Sequence, residues 1–342
     1  MPGSSEPTKR SGASVSDAEP VDVTIAILTY NGEEYLARIL EMIRRQDYTG
    51  SVEVLVIDSG STDRTLGIVR SFPEVRLHEI PNSEFGHGRT RNLAAQLANG
   101  RFVAYLTHDA IPASDSWLRE LLAPFELDEK IVGVMGKQIP RPGCFPLLKY
   151  EIKGVFAGFG PDFGTSVFYK DDFVRDEGVM GAISFYSDVN SAARRDFLRD
   201  VVPYRDVRYA EDQLFGRDLL EAGYRKAYAG RAAVEHSNDL TRAEYRLRVF
   251  DETVGLRQIG FPIPPMTRSA QLRLTARGIV GDTLRILRDP DFSWRRKLYW
   301  LVLNPSYQIA KWQSYRDSTL IDVNDEEAVR AGSLEHSRKT AA

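Results

Sequence analysis

Residues 23–65 read VTIAILTYNGEEYLARILEMIRRQDYTGSVEVLVIDSGSTDRT, and this stretch decides the fold. Val23–Thr29 is a short apolar run of the kind that a strand covered on both faces requires. Tyr35, Leu36, Ile39, Leu40 and Ile43 then recur at helical spacing within residues 33–45. Val52–Ile57 is a second buried strand, and Ser61-Thr62-Asp63 offers cap oxygens for a helix reaching Phe72. Strand, helix and strand joined by short connections predict a parallel sheet with helices on both faces.

Outward from this unit the alternation continues. Strands are predicted over 75–80, 101–106 and 131–134, and helices over 90–98, with Gly100 as its C-cap, and 114–125. After Gly136 the pattern fails. Residues 141–182 mix Pro, Gly and aromatics, which predicts one helix over 145–156 inside a long loop or lid. A strand over 184–192, a helix over 211–222 ended by Gly223 and a strand over 227–234 follow. Residues 241–317 read as helical, broken by FPIPP at 261–265. Residues 1–20 lack apolar periodicity and are expected to be a disordered lead-in, and 321–342 a flexible tail.

Composition bounds the function. The 342 residues include 42% hydrophobic and 27% charged side chains, ordinary for a globular protein. The net charge of −3 argues against a nucleic-acid binder driven by global positive charge. One cysteine, Cys144, excludes a disulfide framework and a cysteine zinc site. No apolar run approaches a membrane span and no secretory h-region is evident, so a cytoplasmic enzyme is expected. Residues 241–317 carry 14 Arg/Lys against 7 Asp/Glu, which leaves the remainder of the chain at about −10. A basic helical appendage suggests either contact with an anionic surface or a solvated face packed on the core.

Polar clusters fall at the predicted strand ends, the edge where open α/β sheets bind ligands. Thr29-Tyr30-Asn31-Gly32 ends the first strand and Asp58-Ser59-Gly60-Ser61-Thr62-Asp63 the second. Asp58 can accept from a base or ribose, or cap the turn. In the segment 82–92 Gly86 and Gly88 fail the dinucleotide fingerprint, because Arg91 stands at the third glycine position. These glycines are expected to let backbone approach a ligand, with Arg89 or Arg91 meeting phosphate. Asp109, in Thr107-His108-Asp109, suits a divalent cation that also binds substrate phosphates, and His236 is of interest as a ligand beside it. Glu211-Asp212 opens a helix, as macrodipole-favouring acids or as a general base. Neither a Gly-x-Ser-x-Gly elbow nor a P-loop occurs.

TYNGEEYLARIL (29–40), VIDSGSTDRT (56–65), RTRN (89–92), the strand ending in Asp109 and AEDQLFGRDLLEAGYR (210–225) follow one another within residues 23–237. In this order and spacing they resemble inverting family-2 glycosyltransferases of GT-A fold. The resemblance implies an α/β catalytic domain over 21–240, with a mostly parallel sheet flanked by helices on both faces, and a helical C-terminal region over 241–320. It also implies a nucleotide-sugar site formed by Thr29, Tyr30, Asn31, Asp58, Gly88, Arg91 and His108. Asp109 and His236 would hold Mg²⁺ or Mn²⁺, Asp212 with Glu211 would be the catalytic base, and Asp188 and Asn190 would meet the acceptor. The family's usual Asp-x-Asp reads Thr107-His108-Asp109 here, so weaker metal binding is expected.

EFGHGRTRN (84–92), SDVNSA (187–192), the EHS motif (235–237) and the helical tail are similar to a subgroup of rhamnosyltransferases. That likeness implies dTDP-L-rhamnose as donor and a saccharide or lipid-linked saccharide as acceptor, in bacterial surface polysaccharide synthesis. The alternatives are another donor, UDP-hexose or UDP-galactofuranose, and a catalytically silent nucleotide-sugar-binding protein. Glu211-Asp212 argues against the silent protein. SWRRKLYWLVL (293–303), with Trp294, Trp300 and Trp312, suggests peripheral membrane contact, or core packing and a homo-oligomer interface.

Overall fold

The computed structural model describes residues 20–174, 176–238, 240–334 and 336–337. The expected lead-in therefore lies, apart from Pro20, outside the described residues. The first half alternates as β1 (Val23–Thr29), α1 (Leu36–Arg44), β2 (Val52–Asp58), α2 (Thr65–Arg70), β3 (Val75–Glu79), α3 (His87–Leu97) and β4 (Phe102–Thr107). The two-residue β5 (Ile111–Pro112), α4 (Trp117–Leu122) and β6 (Ile131–Ile139) come next. Then follow α5 (Pro146–Ala157), β7 (Thr165–Tyr169), α6 (Glu177–Ser184), β8 (Asn190–Arg194), α7 (Arg195–Asp200), α8 (Glu211–Glu221) and β9 (Arg225–Glu235). The C-terminal part is α9 (Arg242–Gln258), α10 (Arg268–Arg288), α11 (Trp294–Leu320) and α12 (Glu326–Gly332).

One sheet runs β3-β2-β1-β4-β8-β6-β9-β5, with β7 pairing on β9. β3, β2, β1 and β4 are parallel, as expected. β8 enters antiparallel to both β4 and β6, and β9 is parallel to β6. Because β8 reverses between them, the carboxyl ends of β4, β6 and β9 leave by the same edge as those of β1 and β2.

The period of two along β1 explains the two-sided core. Val23, Ile25 and Ile27 pack with Leu36, Ile39 and Leu40 of α1 and with Trp117 and Leu121 of α4. Ala26 points the other way, into a cluster with Ala94 and Ala95 of α3 and Phe215 and Leu219 of α8.

The C-terminal helices are fixed to the domain through α5. Phe145 and Leu147 share a buried cluster with Tyr245, Val249, Ile286 and Trp300. Lys149, on α5, is buried and bonds both Asp289 oxygens at 2.7 and 2.9 Å, and Tyr150 donates to the same carboxylate at 2.9 Å.

Several expectations are corrected. The helix expected over 145–156 is α5, but the rest of 141–182 is not one long lid: β7 and the start of α6 lie within it. Helical spacing in α6 and alternation in β7 are too short to stand out among the glycines and aromatics. The strand expected over 184–192 begins only at Asn190, since Ser184 ends α6. Gly100 is not the cap of α3, whose C-cap is Ala98; a Cβ at Gly100 would lie 2.4 Å from the Thr24 nitrogen. Within the tail expected to be flexible over 321–342, Glu326–Gly332 forms α12, with Val329 packed on Phe250 and Val254 of α9, while 335 and 338–342 lie outside the described residues. Trp300 is a core residue, whereas Trp294 is 63% exposed.

Candidate functional site

The parallel register aligns Thr29 with Asp58, and Leu28 with Thr107, so three predicted clusters meet at one edge. The loops after β1 and β2 are stitched to each other. The Asn31 and Gly32 amides donate to Ser61 Oγ and Thr65 Oγ1, each at 2.8 Å, and Thr62 N donates to Asn31 Oδ1 at 2.9 Å. Asn31 adopts the left-handed region at φ 49°, which Asn tolerates better than most residues. Asp58 is buried and its oxygens are already engaged. Oδ1 accepts from the Gly60 and Ser61 amides, and Oδ2 from the Thr29 and Ser61 hydroxyls, at 2.6–3.0 Å. Of the two readings of Asp58, the geometry is that of the turn organiser. Tyr30 is half-buried and Asn31 exposed at the mouth of this edge.

Asp109 and His236, from β4 and β9, come together as a pair, Nε2 to Oδ2 3.3 Å. Gln138 fixes the other face of the imidazole through Nδ1 at 2.9 Å. Burial works to raise the Asp109 carboxyl, but the neighbouring His236 and His108 rings outweigh it and hold it well below the usual range. His108 packs beside Gly32, where a Cβ would come within 3.1 Å of it. Among the described residues no three or more His, Cys, Asp or Glu side chains converge on one point. Asp109 and His236 thus supply one carboxylate and one imidazole at this edge. One carboxylate and one imidazole fit a cation that takes its remaining ligands from a bound diphosphate.

A second cluster lies where β8 begins and α8 starts. Arg91, on α3, is buried; its Nε meets Asp188 at 3.0 Å and its Nη1 bonds Glu211. Asp188 also accepts from Ser191 Oγ at 2.6 Å and the Tyr204 hydroxyl at 2.9 Å. One guanidinium therefore serves two carboxylates, and Asp212 is the third acid beside them. Glu211 is buried, which would raise it, but Arg91 holds it below its ordinary value. Asp212 lacks that direct partner. Burial, reinforced by the charges of Glu211 and Asp188, pushes it up to about 8. Its oxygens accept from the Gln213 amide at 2.8 Å and the Asp188 amide at 3.4 Å. Ala210, immediately before the pair, sits at φ 64°. A non-glycine residue there costs about 1–3 kcal/mol, and such strain clusters at functional sites.

Four sequence-derived assignments fall differently. Arg91 was expected at the diphosphate; it is buried between Asp188 and Glu211. Asp188 and Asn190 were expected to meet the acceptor, but both are about 1% exposed. Asn190 accepts from Trp117 Nε1 at 2.9 Å and donates to the Ala232 and Lys137 carbonyls, so its amide ties strands together. Gly88 does permit a close backbone approach, but the partner is the chain itself: a Cβ there would lie 2.2 Å from the Arg205 carbonyl oxygen.

Two residues escaped the sequence reading. Asn92 clamps Tyr204 with both amide atoms, at 2.8 and 2.9 Å. Arg141 donates to the backbone carbonyls of Asp109 and Ser237 and lies 3.9 Å above the Tyr35 ring. It locks the ends of β4 and β9, and so the Asp109–His236 pair, in place. Nothing in the local sequence RPGC marks it, because its partners are backbone atoms far along the chain.

Comparison with known proteins gives the family and the fold. A model described as Glycosyl transferase family 2 matches residues 24–202. The O-antigen chain rhamnosyltransferase RfbN of Salmonella typhimurium is 30% identical over 234 residues, 68% of this chain and 71% of that protein. The O-antigen chain rhamnosyltransferase WbaN of Salmonella anatum is 31% identical over 204 residues, 59% of this chain and 62% of that protein. Among solved structures, the mannosyltransferase PcManGT from Pyrobaculum calidifontis, in complex with GDP-Man and Mn²⁺, superposes with a TM-score of 0.54. It shares 18% identity and covers 87% of this chain and 89% of its own. Staphylococcus aureus TarS 1–349 in complex with UDP gives 0.51 at 19% identity over 92% of each chain. At these identities the likeness concerns the fold.

Proposed function

The chain belongs to glycosyl transferase family 2, and on that premise we propose that it moves L-rhamnose from dTDP-L-rhamnose to a saccharide hydroxyl, with inversion. The observation that carries the reaction is Asp212. It is the one carboxylate of its cluster without an arginine bond, half-buried at the first turn of α8, with its proton affinity raised. A base near the operating pH is what deprotonation of a sugar hydroxyl needs. Asp212 takes the acceptor proton, and the acceptor oxygen bonds to the anomeric carbon from the face opposite the diphosphate. The bond from that carbon to the diphosphate oxygen breaks, and its electron pair leaves with dTDP.

Thr29, Tyr30, Asn31 and Asp58 form the floor for the nucleoside, with Asp58 acting through the turn it organises. Gly88 lets α3 close against Arg205, and His108 borders the donor beside Gly32. Asp109 and His236 would hold Mg²⁺ or Mn²⁺, which supplies positive charge against the departing diphosphate when bound. Arg91 is a positioning residue in this reading. It holds Glu211 below its ordinary value and works against the burial that raises Asp188, and these two acids add to the burial that raises the proton affinity of Asp212. Asp188 and Asn190 hold the framework, and the acceptor is left to the surface above Asp212.

The choice of rhamnose, and of a saccharide acceptor, is supported by the two relatives named as O-antigen chain rhamnosyltransferases. The test is release of nucleoside diphosphate from a panel of donors, with acceptor sugars and with or without chelator. Turnover of dTDP-L-rhamnose well above UDP-hexoses and UDP-galactofuranose, lost with EDTA and restored by Mg²⁺ or Mn²⁺, is expected. Preference for a UDP-sugar would reject the donor, and undiminished turnover in EDTA would reject the metal.

A further inference from the structure

The outward face of α10 is apolar where a solvated helix would be polar. Leu272, Val280, Leu284 and Leu287 are 68, 61, 46 and 40% exposed, and they recur at spacings that put them on one side of the helix. The opposite side is the packed one: Asp282 and Ile286 are buried, and Gln308 of α11 bonds Asp282 at 2.6 Å. Arg273, Arg277 and Arg288 are exposed on the same side of the helix. The helix contains one acid, Asp282, and it is turned inward. A second stripe continues onto the start of α11, where Trp294, Leu298 and Val302 are 63, 53 and 77% exposed at intervals of four. Arg295 lies beside them, and Lys297 reaches back to the Leu287 carbonyl at 2.8 Å, which joins the two helix ends.

We propose that α10 and the first turns of α11 dock on an anionic lipid surface, apolar stripe inward and arginines at the headgroups. Exposed Leu, Val and Trp in a row beside exposed arginines, with the one acid of α10 turned inward and Asp291, between the helices, paired with Lys149 and Lys153, match the chemistry of an interfacial helix. Charge separates this occupant from a second copy of the chain. A two-fold contact through the same face would set Arg273, Arg277 and Arg288 against their own copies, whereas anionic headgroups complement all three. Among the described residues no helix is long and apolar enough to cross a membrane, so the contact is along the surface. The docking is independent of which sugar the site transfers.

The experiment is co-sedimentation of the full chain with vesicles of phosphatidylglycerol and phosphatidylethanolamine, or of phosphatidylcholine alone, at low and high salt. Binding to the anionic vesicles at low salt, weakened by salt and slight on phosphatidylcholine, is expected. Arg273→Glu with Arg277→Glu should weaken it by about tenfold or more, since each cation near an anionic surface contributes appreciably. Val280→Glu with Leu284→Glu should abolish it. All four side chains are exposed, so melting temperature and donor turnover in solution should stay at wild-type values, which separates loss of docking from loss of fold or site. A chain that remains in the supernatant with anionic vesicles at low salt overturns the proposal. So does vesicle binding that neither pair of substitutions alters, or a dimer in sedimentation velocity that Val280→Glu dissolves in place of vesicle binding.

Discussion

At the scale of the residue, the deciding interaction is Arg91 with its two carboxylates. The sequence marks the position but not the duty: RTRN at 89–92 reads as a phosphate-binding loop, because Asp188 and Glu211 lie far along the chain. The same distance hid Asn92 and Arg141. By contrast, the proximity of Asp109 and His236 was legible, since both follow predicted strands whose ends share one edge. The burial of Arg91 has a consequence for stability. Arg91→Met would leave two buried carboxylates without their cation, and breaking a buried pair in this way typically costs about 3–5 kcal/mol. Thermal unfolding at neutral pH should show a marked fall in Tm, partly recovered under acid conditions where Glu211 and Asp188 take up protons. A Tm within a degree or so of wild type would mean that the ion cluster is not closed in solution.

At the scale of the element, the β1-α1-β2 unit was readable because its residues obey one period at a time: continuous apolar runs for buried strands, and Leu36, Ile39, Leu40 and Ile43 for one helix face. α6, β7 and α12 were not readable, being five to eight residues long and placed by partners distant in sequence. α3 is the element on which the site depends most. It carries Arg91 and Asn92, and it lies against residues 204–205 at a separation that only glycine at position 88 allows. Gly88→Ala would drive a methyl group into the Arg205 carbonyl, a backbone atom that cannot swing away. Overpacking of this sort costs about 1–3 kcal/mol. Because the segment that moves leads directly into Ala210, Glu211 and Asp212, activity should fall further than stability alone explains. Circular dichroism melting and turnover measured on the same variant check this; unchanged turnover would place the 204–210 segment outside the working site.

At the scale of the whole molecule, the reversal of β8 brings two polar clusters to one edge: the Asp109–His236 pair beyond the ends of β4 and β9, and the carboxylate cluster at α8. The C-terminal helices hold that edge from behind. Arg208, two residues before Ala210, bonds Asp251 of α9 at 2.6 Å and Ser333, after α12, at 2.8 Å. Within the segment expected to be a flexible tail, the end of α12 and Ser333 therefore brace the loop that leads into α8, which no local pattern there could have signalled. The central claim is that this assembly exists to give Asp212 a raised proton affinity and use it as a base, and the direct measurement is the pH dependence of kcat for wild type and Asp212→Asn. A base works only when deprotonated, so wild-type turnover should climb with pH along a limb centred near the Asp212 value of about 8, or somewhat lower once donor and cation add positive charge. Asp212→Asn keeps the shape and removes the base, so kcat should fall about 10²–10⁴-fold, with the limb gone and donor KM within a few-fold of wild type. A variant that transfers sugar at more than half the wild-type rate, with the same limb, would contradict the assignment of Asp212.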